Sequence, residues 1–212
     1  MLLCAASVAA LLAVDRTADP ATPSLLKWVF KPAASAAFIG LALYCGALDT
    51  EYGKLILLGL VLCMAGDVFL IAKAQAAFLA GMGAFALGHA AYIAAFLAIG
   101  TAPNWVSFVT LVLIGGAVWR IFMWLRPHLG TFRYPVGIYC LIISLMVVAS
   151  ISTQNPNGGA PYWLAVFGAI GFAISDISVA RDQFVRQEFF NRLLGLPLYY
   201  AAQIVLAASV SL

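Results

Sequence analysis

Apolar runs of about twenty residues recur along the whole chain, separated by short polar breaks, and this spacing predicts eight helices. They fall near residues 1–14, 28–47, 53–72, 76–99, 104–124, 134–152, 161–180 and 193–212. A run of that length crosses a hydrocarbon core of about 30 Å, and only the first is short for the task. Residues 1–14 lack a basic leading region and a clear small-residue cleavage site, so they read as a span rather than a cleaved signal peptide. Backbone exposed to lipid must satisfy its own hydrogen bonds, and no barrel-like alternation of short strands is visible. The expected fold is therefore all-α, a polytopic bundle of about eight transmembrane helices. The breaks carry turn chemistry: Asp19-Pro20, residues 100–104, and residues 155–161 with two glycines. Pro32, Pro135 and Pro197 are expected in the first turns of the second, sixth and eighth helices, where a missing amide is tolerated.

Composition agrees with the pattern. Of 212 residues, 65% are hydrophobic and 9% charged, which excludes an ordinary soluble domain with about 25% charge. The mean hydropathy of +1.04 points the same way. The longest polar stretches, 15–24, 125–133, 153–160 and 181–192, are too short to hold a separate soluble unit, so residues 1–212 read as a single transmembrane domain. The net charge of +3 matters less than its placement. Arg16, Lys27, Lys31, Lys73, Arg120, Arg126, Arg133, Arg181, Arg186 and Arg192 gather on one side of the predicted bundle, and Lys54 stands on the other. Short basic loops stay in the cytoplasm, so both termini are expected to face outward. The compact chain suggests a bacterial inner membrane, and nothing in it suggests a nucleic-acid partner. Cys4, Cys45, Cys63 and Cys140 lie singly in separate apolar runs and read as small buried hydrophobes.

Two aspartates break the apolar pattern: Asp67 in LILLGLVLCMAGDVFLIA and Asp176 in WLAVFGAIGFAISDISVA. A charge at the centre of a membrane helix costs roughly 2.5–3.5 kcal/mol, so each is a functional candidate. At about 1.5 Å rise per residue, Lys31, Asp67, Tyr139, Asp176, Tyr199 and Tyr200 all fall on the order of 5–15 Å below the basic surface. His89, Tyr92 and Gln203 lie deeper. Together they predict a polar pocket open toward the cytoplasm. Structural roles compete for several members: tyrosines form interfacial belts, Lys31 can snorkel, and His89 and Gln203 can bridge helices. Ser175 and Ser178 suit helix packing. GDVFLIA at 66–72 and SDISVAR at 175–181 hold corresponding places 109 residues apart. A weak four-plus-four repeat, its halves related by an axis along the membrane normal, is one reading. No metal site is expected, since the chain's two histidines, His89 and His128, supply no three-ligand set. Nucleophile elbows and nucleotide loops are absent, and no cofactor is implied. Two carboxylates facing one cavity suit general acid–base hydrolysis of substrates that become cations on protonation, such as acetals, epoxides and enol ethers.

One ordered set of motifs is familiar. Lys31-Pro32, the GDVFL of 66–70, Phe85 with Gly88, His89 and Tyr92, Ser175-Asp176, and Tyr199-Tyr200 followed by Gln203 together resemble the YhhN-type lysoplasmalogenase family. The likeness runs from the second helix to the eighth. It departs after Ser175-Asp176, where Arg181, Asp182 and Gln183 precede Phe184. The resemblance implies an eight-helix membrane hydrolase acting on ether bonds. Its substrate is a lysophospholipid, a lysoplasmalogen, and its products are a fatty aldehyde and glycerophospho-ethanolamine or glycerophospho-choline. It assigns catalysis to Asp67 and Asp176, with Lys31, His89, Tyr92, Tyr139, Ser175, Tyr199, Tyr200 and Gln203 in support. The rival reading is a proton-coupled transporter or lipid flippase, because intramembrane Asp and His also mark proton relays. Gly- or Pro-interrupted spans would favour it, and here the prolines are expected to cap helices instead.

Overall fold

The computed structural model describes residues 1–17, 25–102, 105–153 and 159–211. Among these the apolar runs form eight α-helices: α1 (Leu2–Thr17), α2 (Leu25–Tyr44), α3 (Glu51–Phe69), α4 (Gln75–Ile99), α5 (Trp105–Leu125), α6 (Arg133–Ser152), α7 (Ala160–Ala180) and α8 (Phe189–Ala208). The turns at 19–20 and 103–104, and most of 155–161, lie outside the described residues. Two 3-10 turns join α5 to α6, and a π turn over Arg181–Val185 extends α7. Thr50 caps α3 by accepting the Gly53 amide at 3.0 Å. Gly100, at φ 99°, ends α4 in a conformation that strains any other residue.

Seven of the helices, α2 to α8, are long and apolar enough to cross a membrane. The eighth helix is α1, short as its apolar run predicts. At 16 residues α1 reaches about 24 Å, short of a hydrocarbon core of about 30 Å. It packs on α2 and α8 through Cys4, Val8, Leu11 and Val14.

Two prolines also sit elsewhere than expected. Leu25 and Leu26, and Phe189 and Phe190, continue their helices outward past the predicted starts. Pro32 and Pro197 therefore fall inside α2 and α8 rather than in their first turns, and Lys31 lies well into α2. Each missing amide leaves a carbonyl one turn back, on Trp28 and Leu193, without its helical donor. Both helices nevertheless run unbroken through the proline. Pro135 does lie in the first turn of α6.

The tightest hairpins are α3/α4 and α7/α8. Small residues allow this closeness, as is usual where lipid removes the hydrophobic drive between helices. A Cβ on Gly66 would meet Phe85 Cε2 at 2.7 Å, and one on Gly168 would meet Leu206 Cγ at 2.6 Å. Helix pairings also repeat with a shift of four: α1/α2 with α5/α6, α2/α3 with α6/α7, α3/α4 with α7/α8, and α2/α8 with α6/α4. One core threads α1 to α4 and α6 to α8, while α5 buries only Ser107 and Leu125. All four cysteines are free.

Candidate active site

A cavity of about 660 Å³ runs between the helices from the end that bears the basic residues. At its mouth stand Asp15, Lys27, Lys73, Asp182 and Arg192. Below them Lys31, Asp67, Tyr139, Asp176 and Tyr199 line the wall. Beyond these the lining turns apolar, with Ile114 and Val118 from α5, Ile143 and Val147 from α6, and Ile170 and Ile174 from α7. A polar layer thus separates a charged mouth from a hydrocarbon-like slot.

Asp67, on α3, is almost enclosed, its side chain 3% exposed. Its Oδ2 accepts from Tyr199 OH of α8 at 2.8 Å and from Ser35 Oγ of α2 at 2.8 Å. Lys31 Nζ stands 3.6 Å from Oδ1 and donates to the Asp67 main-chain oxygen at 3.4 Å. Lys31 and Ser35 are one helical turn apart, so both reach the same carboxylate from one face of α2. Behind Tyr199 runs a buried string. Gln203 Nε2 donates to Tyr199 OH at 3.3 Å, and Tyr92 OH donates to Gln203 Oε1 at 2.8 Å.

Asp176, on α7, is more open, with 20% of its side chain exposed. Tyr139 OH of α6 donates to its Oδ2 at 2.6 Å, and His89 Nε2 of α4 lies 2.9 Å from the same phenol. His89 Nε2 is 3.8 Å from Oδ2. No lysine or arginine among the described residues forms an ion pair with Asp176. A phenol has one proton, so if Tyr139 gives it to Asp176, His89 Nε2 must be the donor to Tyr139. The reverse order, from a protonated Asp176 through Tyr139 to Nε2, uses the same three heavy atoms. His89 is fully buried and its Nδ1 has no partner among the described residues.

The predicted residues divide into four groups. Lys31 and Tyr199 surround Asp67, and His89 and Tyr139 attend Asp176. Tyr92 and Gln203 reach Asp67 only through Tyr199. Ser175 and Tyr200 hydrogen-bond to neither carboxylate: Ser175 Oγ donates to Phe172 O of its own helix at 2.7 Å, and Tyr200 OH is buried without a well-formed hydrogen bond among the described residues. Ser35 was not foreseen. Its only sequence signal is the four-residue step from Lys31, within an alanine-rich run that reads as packing. The mouth was foreseen only as basic. There Asp15 pairs with Lys27 and, at 3.4 Å, with Arg192, which also reaches Asp182 at 3.1 Å. These contacts tie α1, α2, α8 and the π turn together, so the departing Arg181-Asp182-Gln183 segment is part of the entrance.

Fold and cavity define a polytopic helical membrane protein with two carboxylates in one intramembrane cleft. Among the described residues no group of three His, Cys, Asp or Glu is placed to hold a metal ion. The chain belongs to the YhhN family, which it matches over residues 26–210. It is similar to lysoplasmalogenase TMEM86A of Bos taurus, with 35% identity over 158 residues covering 73% of this chain and 64% of that protein. A lysoplasmalogenase of Mycobacterium tuberculosis is 32% identical over 139 residues, 62% of this chain and 50% of its own length. Lysoplasmalogenase TMEM86B of Sus scrofa is 29% identical over 188 residues, 87% of this chain and 76% of its own. The chain thus spans somewhat less than two thirds of the TMEM86A relative. No solved structure matches.

Proposed function

We propose that this protein hydrolyses the sn-1 vinyl ether bond of lysoplasmalogens by acid–base catalysis, with Asp176 as acid and Asp67 as base. The observation that carries the reading is the unequal company of two carboxylates lining one cavity. Asp67 has an ammonium and two hydroxyl donors around it, which suits an ionised group. Asp176 has no lysine or arginine partner among the described residues and sits at the end of a Tyr139–His89 chain able to hand it a proton.

In this scheme the Asp176 carboxyl protonates the outer carbon of the enol ether, leaving an oxocarbenium ion. Asp67 takes a proton from water as its oxygen bonds to the cationic carbon, giving a hemiacetal. The C–O bond to glycerol then breaks. Protonated Asp67 returns its proton to the departing glycerol oxygen, and Asp176 recovers one from the hemiacetal hydroxyl as the aldehyde forms. One water is consumed and both carboxyls end as they began. A lysophospholipid fits the cavity's polarity, with its chain in the slot lined by Ile143, Ile170 and Ile174 and its phosphate near Lys27, Lys73 and Arg192. The positive-inside distribution supports a mouth facing the cytoplasm, and a bacterial inner membrane suits the compact chain.

The test is release of fatty aldehyde from a lysoplasmenyl lipid by purified wild type, Asp67→Asn and Asp176→Asn. Loss of at least about a hundredfold in each folded variant is expected, at the lower end of what general acid–base groups contribute. Undiminished turnover in either variant removes that residue from the mechanism. Movement of intact lipid without aldehyde would instead indicate transport. The continuity of α2 and α8 through their prolines supports hydrolysis, because transporter sites are commonly built on unwound spans.

A further inference from the structure

No acidic residue occurs between Asp67 and Asp176, yet this stretch carries Lys73, Arg120, Arg126 and Arg133. Two of those arginines share a groove. On the face of α5 and α6 lies a depression of about 440 Å³, lined by Trp119, Phe122, Met123, Arg126, Arg133, Tyr134, Gly137 and Ile138. Arg126 follows the last residue of α5, and Arg133 is the first of α6. Both are exposed, and neither has an ion pair or side-chain hydrogen bond among the described residues. Arg133 is also a cation at a helix N-terminus, where the backbone dipole disfavours positive charge, and Phe132 at the cap offers no side-chain acceptor. Among the described residues no carboxylate pairs with either arginine.

Position says what kind of anion fits. The two guanidinium groups stand at the end of two spans, where the polar headgroups of a bilayer lie. Phe122, Met123 and Ile138 continue the groove toward the hydrocarbon, and Trp119 and Tyr134, 64% and 81% exposed, are side chains that favour the membrane interface. We propose that this groove binds one anionic phospholipid, its phosphate shared by Arg126 and Arg133 and its acyl chain lying along α5 and α6. Guanidinium groups bind phosphate oxygens in bidentate fashion, and basic pockets between helices are a recurrent headgroup site. The lipid would fasten α5, the least buried of the spans, to α6. This site stands apart from the two-aspartate cavity and does not depend on the reaction proposed there.

The experiment uses the full chain purified in zwitterionic detergent, titrated with phosphatidylglycerol or phosphatidylcholine and read by native mass spectrometry and thermal unfolding. One retained phosphatidylglycerol per chain and a raised midpoint are expected for wild type, with phosphatidylcholine giving neither. Arg126→Gln/Arg133→Gln should weaken phosphatidylglycerol binding about thirtyfold, about fivefold for each arginine. If the double variant does not fold, each single variant should show its own fivefold loss. Arg120→Gln removes the same charge outside the groove and should bind within twofold of wild type. The proposal is overturned if phosphatidylcholine binds as well, if Arg120→Gln weakens binding as much as the double variant, or if inorganic phosphate alone reproduces the shift. A chain that retains no lipid but pairs with a second copy through this face also overturns it.

Discussion

Replacing Lys31 with methionine tests whether Asp67 is ionised, on which the proposed division of labour depends. Methionine keeps length and packing but removes the ammonium 3.6 Å from Oδ1. At an effective dielectric of about 20, Coulomb attraction at that distance is about 4–5 kcal/mol. The uncompensated carboxylate can escape by taking a proton, which costs an ordinary aspartyl group about 4 kcal/mol at pH 7. Either route gives a similar loss, roughly 8–16 °C in the unfolding midpoint of a chain this size. Acid should reverse it. The folded variant then holds one proton more than the unfolded chain, so its deficit relative to wild type shrinks by about 1.36 kcal/mol per pH unit and falls to about 1.5 kcal/mol at pH 5. Asp67→Asn should cost less, about 1–2 kcal/mol, because Lys31 is 13% exposed and can extend toward the mouth while the amide still accepts from Ser35 and Tyr199. The double variant should therefore be more stable at pH 7 than Lys31→Met alone. Thermal unfolding of the four proteins in detergent at pH 5 and pH 7 decides it. A Lys31→Met deficit that ignores pH, or a double variant no better than that single one, would refute the assignment of charge to Asp67.

Two further changes probe the other carboxylate and the packing beneath the site. Tyr139→Phe removes the 2.6 Å hydrogen bond to Asp176 and the link to His89. A bond to the carboxylate that forms as Asp176 gives up its proton is worth about 1.5–3 kcal/mol, so turnover should fall about ten- to a hundredfold with KM little changed, as steady-state aldehyde release will show. Gly66→Leu forces side-chain atoms into Phe85 one residue from Asp67. Overpacking of this kind costs about 1–3 kcal/mol, and the lowered midpoint should come with loss of activity.

Much of the architecture was legible because lipid leaves so few options. The runs beginning near residues 53, 76, 104, 134 and 161 became α3 to α7 with ends moved by three residues or fewer, since hydrophobic length fixes a spanning helix. Both ends of α2 and α8 shifted together toward the N-terminus, by three and four residues. Apolar residues outside a polar break, such as Leu25 and Phe189, join a helix or a loop according to what packs near them, and that information is not local. Pro32 and Pro197 shifted inward for the same reason. In the site, Asp67 and Asp176 announced themselves by the cost of their placement, and depth alone grouped Lys31, Tyr139 and Tyr199 with them. Depth does not give rotation about the helix axis. Tyr199 and Tyr200 lie at nearly the same level, and only Tyr199 turns to the carboxylate. Ser35 carries no such signal, because a small hydroxyl in a span is usually a packing residue.

The repeated helix pairings bear on why two carboxylates in one cleft should differ. A shift of four helices carries α3 onto α7, and with it Asp67 onto Asp176. The same shift carries α2, bearing Lys31 and Ser35, onto α6, bearing Tyr139. It carries α8, bearing Tyr199, onto α4, bearing His89. Each aspartate therefore takes its hydrogen-bonding neighbours from equivalent helices, at sequence offsets of 108 between Lys31 and Tyr139 and 110 between His89 and Tyr199, beside 109 between the aspartates. The helix pairings around the two acids correspond, and the side chains make their surroundings unlike. On one side stand an ammonium and two hydroxyls that stabilise charge. On the other stands a phenol leading to an imidazole whose second nitrogen has no partner among the described residues, a path along which a proton can shift. Hydrolysis by acid and base needs one carboxyl of each kind facing the same substrate. In the proposed reaction, similarly paired helices present both carboxyls to the cavity, while Lys31 beside one and the Tyr139–His89 pair beside the other give them unequal surroundings.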